Sequence, residues 1–241
     1  MTGTLYCVGV GPGDPELMTL KAARIIAQAP AYAFFAKRGR PGHARTTAAA
    51  HLRPGAAALR FEYPFTTERA VDDPDYIDAM TAFYDASADA IATHLQTGTD
   101  VALLCEGDPF FYGSAMYLFD RLSPRHAAVF VPGITAMSGC WASAATPMTH
   151  GDDVLTVLPG TLDQASLTAR LAGTDAAVIM KVGRNMPKIC AALTQAGRLE
   201  SAVYVERGTM AEQRVTKLCE RPDAPAPYFS LVLVPGRRRA R

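Results

Sequence analysis

Five apolar residues in a row, Val101 to Cys105, run straight into Glu106-Gly107-Asp108-Pro109. A run this short, with no polar residue at alternate positions, is the pattern of a strand buried on both faces. Such strands belong to parallel sheets covered by helices. The turn that follows then stands at the carboxyl edge of the sheet, where open α/β sheets bind their ligands. Gly107 lets the backbone turn sharply or approach a ligand, and Pro109 fixes the exit. Asp108 offers only acceptors, which suits a ligand's hydroxyl or ammonium groups. By itself the segment is also readable as an ordinary Asp-Pro loop.

The surrounding chain repeats the strand-then-helix pattern. Strands are predicted over 5–10, 32–35, 59–61 and 101–105. A helix is predicted over 17–28, with Leu17, Leu20, Ala23 or Arg24, and Ala27 on one face and Pro30 as its stop. A short helix is expected over 46–52, and a long one, announced by Asp72-Asp73-Pro74-Asp75, runs to about 96. Another follows Gly113-Ser114 and carries Met116, Leu118, Phe119 and Leu122. Ser123-Pro-Arg-His126 is a polar break, which divides the chain into domains 1–124 and 125–241. Beyond it, strands are predicted over 129–131, 154–158, 176–182 and 202–205, with a small-residue helix from Pro132-Gly133-Ile134-Thr135 to 145 and others over 164–172 and 187–195. Residues 213–218 alternate in polarity and 229–234 close the sheet, so the second domain is expected to be mixed, with an antiparallel element.

Composition narrows the function. The 241 residues are 49% hydrophobic and 20% charged, as in a folded globular chain. Lys and Arg number 24 against 23 Asp and Glu, a net charge of +1 that argues against a nucleic-acid coat. The one basic cluster, Arg237-Arg-Arg239-Ala-Arg241, reads as a solvated end. Cysteines 7, 105, 140, 190 and 219 form no CxxC pair and read as reduced core thiols of a cytoplasmic protein. Histidines 43, 51, 94, 126 and 150 lack ligand spacing, so no metal is expected. The longest apolar stretch, 25–36, is interrupted by Gln28 and Pro30 and is too short to span a membrane. The amino terminus enters a strand directly, without the look of a signal peptide.

Gly9-Val-Gly11-Pro-Gly13-Asp14 sits between a strand and a helix, as a dinucleotide loop would. The fingerprint needs glycine where Asp14 stands, and an aspartate there would repel a pyrophosphate and cap the helix itself. Pro12 also removes an amide from any anion nest. A tight turn with no ligand remains an equal reading of this loop alone.

Three motifs taken together go further. Gly9-Val-Gly-Pro-Gly-Asp-Pro-Glu-Leu17, Gly107-Asp-Pro-Phe110 and Val131-Pro-Gly-Ile-Thr135 resemble, in order and spacing, the tetrapyrrole methylase family. The resemblance implies an α/β, two-domain fold: a mostly parallel amino-terminal sheet, a mixed carboxyl-terminal sheet and an active cleft between them. It implies a homodimer and S-adenosylmethionine as methyl donor, leaving as S-adenosylhomocysteine. Matched by motif, the cofactor contacts are Pro12, Glu106, Gly107, Asp108, Phe111, Thr135 and Ala136, with Val182 and Gly208 placed by local alignment on Gly183 and on Glu206-Arg-Gly-Thr209. Glu106 is a departure, since many relatives carry glycine there.

Finer features, Cys105-Glu-Gly-Asp-Pro-Phe-Phe-Tyr-Gly-Ser114 and Gly151-Asp-Asp-Val-Leu-Thr-Val-Leu-Pro-Gly-Thr161 chief among them, imply C20 methylation of metal-free precorrin-2 in cobalamin synthesis. The alternatives are cobalt-factor II or another tetrapyrrole. Such a substrate bears eight carboxylates, so cations must cluster locally: Lys37, Arg38, Arg40, Lys181, Arg184, Arg207 and Arg214 lie near predicted strand ends. Tyr112, Lys181 and Arg184 are the residues proposed to touch substrate. Glu106, Tyr112, His150 and Asp152 are possible proton acceptors, which the sequence does not rank; no catalytic base is named.

Overall fold

The computed structural model describes residues 2–65 and 73–236; Asp72 of the expected helix signal and the arginine-rich run 237–241 lie outside them. The chain forms two compact units, Met1–Ala136 and Met137–Arg241. The first contains β1 (Leu5–Gly9), α1 (Leu20–Gln28), β2 (Ala31–Ala36), α2 (His43–Thr47), β3 (Ala57–Glu62), α3 (Pro74–Gln96), β4 (Val101–Cys105), α4 (Ala115–Leu122) and β5 (Ala128–Val131). Its sheet has the order β3-β2-β4-β1-β5, and every pairing is parallel.

The buried strand expected at Val101–Cys105 is β4, and the strand is buried along its whole length. Although every residue is apolar, alternation still assigns faces. Val101, Leu103 and Cys105 join a core with α3 and α4, while Ala102 and Leu104 join one with α1 and α2. Asp73 caps α3 by accepting the Asp75 N–H at 3.0 Å, and Pro74 occupies the first turn where its missing N–H costs nothing.

Three expectations need correction. The short helix expected over 46–52 is α2 (His43–Thr47), which gives way to a separate 3-10 turn (Ala49–His51). The helix predicted from Leu17 begins at Leu20, because Asp14 caps a separate 3-10 turn (Pro15–Leu17) and Thr19 then caps α1. Its buried side is Ala22, Ile25 and Ile26, whereas Leu20 is 90% exposed. The polar break at Ser123-Pro-Arg-His126 is not where the units divide. β5 pairs with β1, so the first unit runs on to Ala136.

The second unit holds α5 (Ala136–Ser143, opening at the last residue of the first unit), β6 (Leu155–Pro159), α6 (Gln164–Ala172), β7 (Ala176–Met180), α7 (Met186–Gln195), β8 (Val203–Glu206), β9 (Arg214–Lys217) and β10 (Ser230–Val234). The sheet is mixed, in the order β6-β7-β10-β8-β9: β6 and β7 are parallel, and the other pairings are antiparallel. Arg198 is buried and satisfied by carbonyls, donating to Thr174 O, Asp175 O and Pro235 O at 3.1, 2.7 and 3.0 Å. Among the described residues no helix is long and apolar enough to cross a membrane.

Asp163 caps α6, accepting the Ser166 N–H at 2.8 Å and its hydroxyl at 2.7 Å. These bonds hold its carboxyl below the ordinary 3.8. A carboxylate depressed on folding stabilises above its unfolded value, and that stability is lost as pH falls through the lower folded value. Thermal melts between pH 5 and pH 2 should therefore show the advantage of wild type over Asp163→Ala shrinking towards the acid end. An advantage constant with pH would rule the charged cap out.

Candidate active site

The sheet order brings the three glycine-bearing loops together. β1 lies between β4 and β5, all parallel, so the loops after Gly9, Cys105 and Val131 leave one edge side by side. Gly107 N–H donates to Gly11 O at 2.8 Å, and Val10 N–H to Cys105 O at 2.9 Å. Gly107 takes φ +64°, a region that favours glycine. A side chain at Gly9 would place its Cβ 2.7 Å from both Gly107 O and Gly133 Cα, and one at Gly133 would fall 2.1 Å from Gly107 O.

Asp108 completes the junction. Its Oδ1 accepts the Phe110 N–H at 2.9 Å, and its Oδ2 accepts the Gly133 N–H at 3.0 Å. The carboxylate expected to face a ligand therefore ties the second loop to the third, so the turn's shape depends on it. Asp14 caps its own 3-10 turn, and Pro12 is buried beside it. Thr135 and Ala136 are half-buried, and Thr135 Cα and Ala136 N lie 3.8 and 3.5 Å from where a Gly107 Cβ would stand.

Glu106 acquires a partner that the sequence did not reveal. Its Oε1 accepts the Ala44 N–H at 3.1 Å, at the start of α2. Glu106 presents surface to water, yet the depth of protein around it pushes its carboxyl above the ordinary range; the Ala44 N–H and the charge of His43 pull the other way. The following aromatics divide. Phe110 stacks on Phe130 with centroids 3.7 Å apart and meets Phe119 edge-on at 5.0 Å. Phe111 is half-buried against Tyr112, which is exposed and strained at φ +57°. Ser114 receives the Tyr63 hydroxyl at 2.8 Å and the Tyr84 hydroxyl at 3.3 Å.

In the second unit, β10 runs antiparallel to both β7 and β8, so those two strands end at the same edge. Lys181, Val182 and Arg184 follow β7, and Gly208 follows β8. Lys181 and Arg184 are exposed. The Val182 side chain is fully buried in the core, and its carbonyl accepts the Asn185 N–H at 2.7 Å. Lys181, Arg207 and Thr209 adopt φ of +55°, +50° and +69°. With Tyr112 they place backbone strain at or beside the candidate residues, as functional sites often do.

Two residues of this edge escaped the sequence reading. Ser143 Oγ accepts the Thr209 N–H at 3.1 Å, and a Cβ on Gly208 would stand 2.5 Å from Cys140 Sγ. α5 thus holds the strained turn through two small residues one helical turn apart; their spacing was the available signal. Burial pushes the Cys140 thiol up to about 12, which leaves it a packing group rather than a nucleophile. The His150 loop is self-contained: Asp153 Oδ2 accepts the His150 N–H at 2.9 Å. Cys7, Cys105 and Cys140 are buried as expected, but Cys190 is half-buried and Cys219 exposed.

Residues 4–220 match the Tetrapyrrole (Corrin/Porphyrin) Methylases. A Precorrin-2 C(20)-methyltransferase of Sinorhizobium sp is 56% identical over 234 residues, which cover 97% of this chain and 96% of the relative. The Cobalt-precorrin-2 C(20)-methyltransferase of Salmonella typhimurium is 29% identical over 237 residues, covering 97% of each. Among solved structures, the uroporphyrin-III C-methyl transferase of Thermus thermophilus complexed with S-adenyl homocysteine shares the fold, with a TM-score of 0.66 at 22% identity over 96% of this chain and 97% of that one. With its three motif loops gathered at one sheet edge and the family matched along most of its length, the chain belongs to the tetrapyrrole methylases.

Proposed function

We propose that this chain methylates precorrin-2 at C20, with S-adenosylmethionine as methyl donor, giving precorrin-3A on the route to the corrin ring of cobalamin. The observation that carries the choice of substrate is the 56% identity to the Sinorhizobium enzyme for the metal-free compound, against 29% to the Salmonella enzyme for the cobalt complex.

The chain's residues fit the donor. A sulfonium is cationic, and residues 9–17, 106–111 and 131–136 contain no Lys or Arg to repel it. The close glycine contacts leave backbone polar groups as the natural ligand contacts of this edge. Pro12, Gly107, Asp108, Phe111, Thr135 and Ala136 are assigned to hold S-adenosylmethionine, with Asp108 acting by shaping the turn; Glu106, expected from the sequence as a further contact, is reassigned because its carboxylate is turned to Ala44. Val182 and Gly208 serve through their backbones. Tyr112, Lys181 and Arg184 are assigned to the tetrapyrrole, whose carboxylates suit the two cations.

When bound, S-adenosylmethionine supplies an electrophilic methyl group. The macrocycle's conjugated nitrogens make its meso carbon nucleophilic, so the protein's part is to orient, align and exclude water. Alignment of this kind is worth roughly 7–11 kcal/mol. The reading includes a homodimer, testable by light scattering. It also includes residence in the cytoplasm, which five unpaired cysteines support.

Purified protein incubated with S-adenosylmethionine and metal-free precorrin-2 should yield a singly methylated product by mass spectrometry, faster than with the cobalt complex. Turnover confined to the cobalt complex would overturn the substrate assignment, and no turnover with either would overturn the enzyme.

A further inference from the structure

An acidic residue beside the turn is at odds with a substrate carrying many carboxylates, unless that residue serves another end. Glu106 reaches away from its own loop to the buried residue Ala44, whose N–H it accepts at 3.1 Å. Immediately before Ala44 lies the exposed segment Lys37-Arg-Gly-Arg-Pro-Gly-His43, with glycine 42 as its buried exception. The segment follows β2, and β2 pairs in parallel with β4, so both loops leave the same edge of the sheet.

The segment has a defined shape. Arg40 N–H donates to Lys37 O at 3.0 Å, closing a turn in which Gly39 takes φ +69°. Arg60 Nη2 donates to Arg40 O at 2.9 Å. Gly42 is pressed onto β2, where a Cβ would lie 2.5 Å from the Phe34 ring and 2.6 Å from Phe35 O. With a net charge of only +1, the chain has no general field to draw in a polyanion, so ordered local cations must do it.

We propose that Glu106 is a positioning residue. Its hydrogen bond to Ala44 docks the cationic segment 37–43 beside the Gly-Asp-Pro turn, and that segment receives carboxylates of the tetrapyrrole. The substrate half of this inference rests on the proposed function; the docking half does not.

The test uses the full chain and two readouts. Hydrogen exchange should become faster over residues 42–47 in Glu106→Ala and stay near wild type in Glu106→Gln, whose amide oxygen still accepts the Ala44 N–H. In kinetics, Glu106→Ala should raise KM for precorrin-2 about tenfold, the scale of one charge-assisted hydrogen bond. Affinity for S-adenosylhomocysteine should change by less than about twofold, well under one pairwise contact. Glu106→Gln should recover most of the loss in KM. Arg38→Ala should raise KM in wild type and add little in Glu106→Ala, because the two act as a unit. Additive losses, or a Gln variant as impaired as Ala, would overturn the positioning role. Unchanged exchange in Glu106→Ala would overturn the docking alone, and absence of wild-type turnover would overturn the substrate half together with the proposed function.

Discussion

Gly133→Ala is expected to abolish measurable binding of S-adenosylhomocysteine and to lower the melting temperature. The added carbon would lie 2.1 Å from Gly107 O, 2.9 Å from Gly9 Cα and 3.0 Å from Gly9 C. All three are backbone atoms, so no side-chain rotation relieves the overlap. Overpacking a tight site costs about 1–3 kcal/mol and sometimes more. Here the strain falls on the contact joining the loops after β1, β4 and β5, and relief requires those loops to part. Gly173→Ala is the matched control, since its Cβ meets only Ala169 O at 3.4 Å, an ordinary contact for a side chain. Calorimetry and thermal melts on both variants would check this, and retained affinity in Gly133→Ala would mean that the junction does not shape the ligand site.

Asp108→Ala should cost about 1–3 kcal/mol of stability, because two backbone N–H groups lose their acceptor. Those groups belong to Phe110 and Gly133, at 2.9 and 3.0 Å. Affinity for S-adenosylhomocysteine should fall at least about tenfold, the equivalent of 1.4 kcal/mol. Asp108→Asn should lie between, because its amide keeps one acceptor and turns an NH2 towards the other donor. The effect on binding is indirect: the carboxylate fixes where Gly107 and Gly133 stand. Stability lost with affinity intact would show that the turn is a structural tie with no part in holding the ligand.

Much of this was readable from residues. β4 and α3 fall where an apolar run and a cap signal put them, because a buried strand and an N-capped helix are set by local pattern. Leu20 shows where pattern misleads: it keeps helical spacing with Leu17, but two successive caps, Asp14 and Thr19, restart the helix and turn Leu20 outward. The unit boundary was missed for a different reason. Ser123-Pro-Arg-His126 is a genuine turn, yet the strand after it returns to pair with β1, and no local signal announces a partner that distant. The partners of the site were hidden in the same way. The contacts of Glu106 with Ala44 and of Ser143 with Thr209 span 62 and 66 residues, and the left-handed backbone at Tyr112 and Lys181 is imposed by surroundings rather than by residue type.

The central place of β1 bears on how the first unit assembles. Leu5 pairs with Val101 on one side and with Ala128 on the other, so the earliest strand has neither neighbour until most of the unit has been synthesised. Closing such long loops has an entropic cost before any contact repays it, which slows folding. Until then, hydrophobic Leu5, Cys7 and Val8 lack the flanking strands that bury them. The junction of Gly9, Gly107 and Gly133 forms only when β1 is seated between its two neighbours, so these loops cannot meet before the sheet is complete.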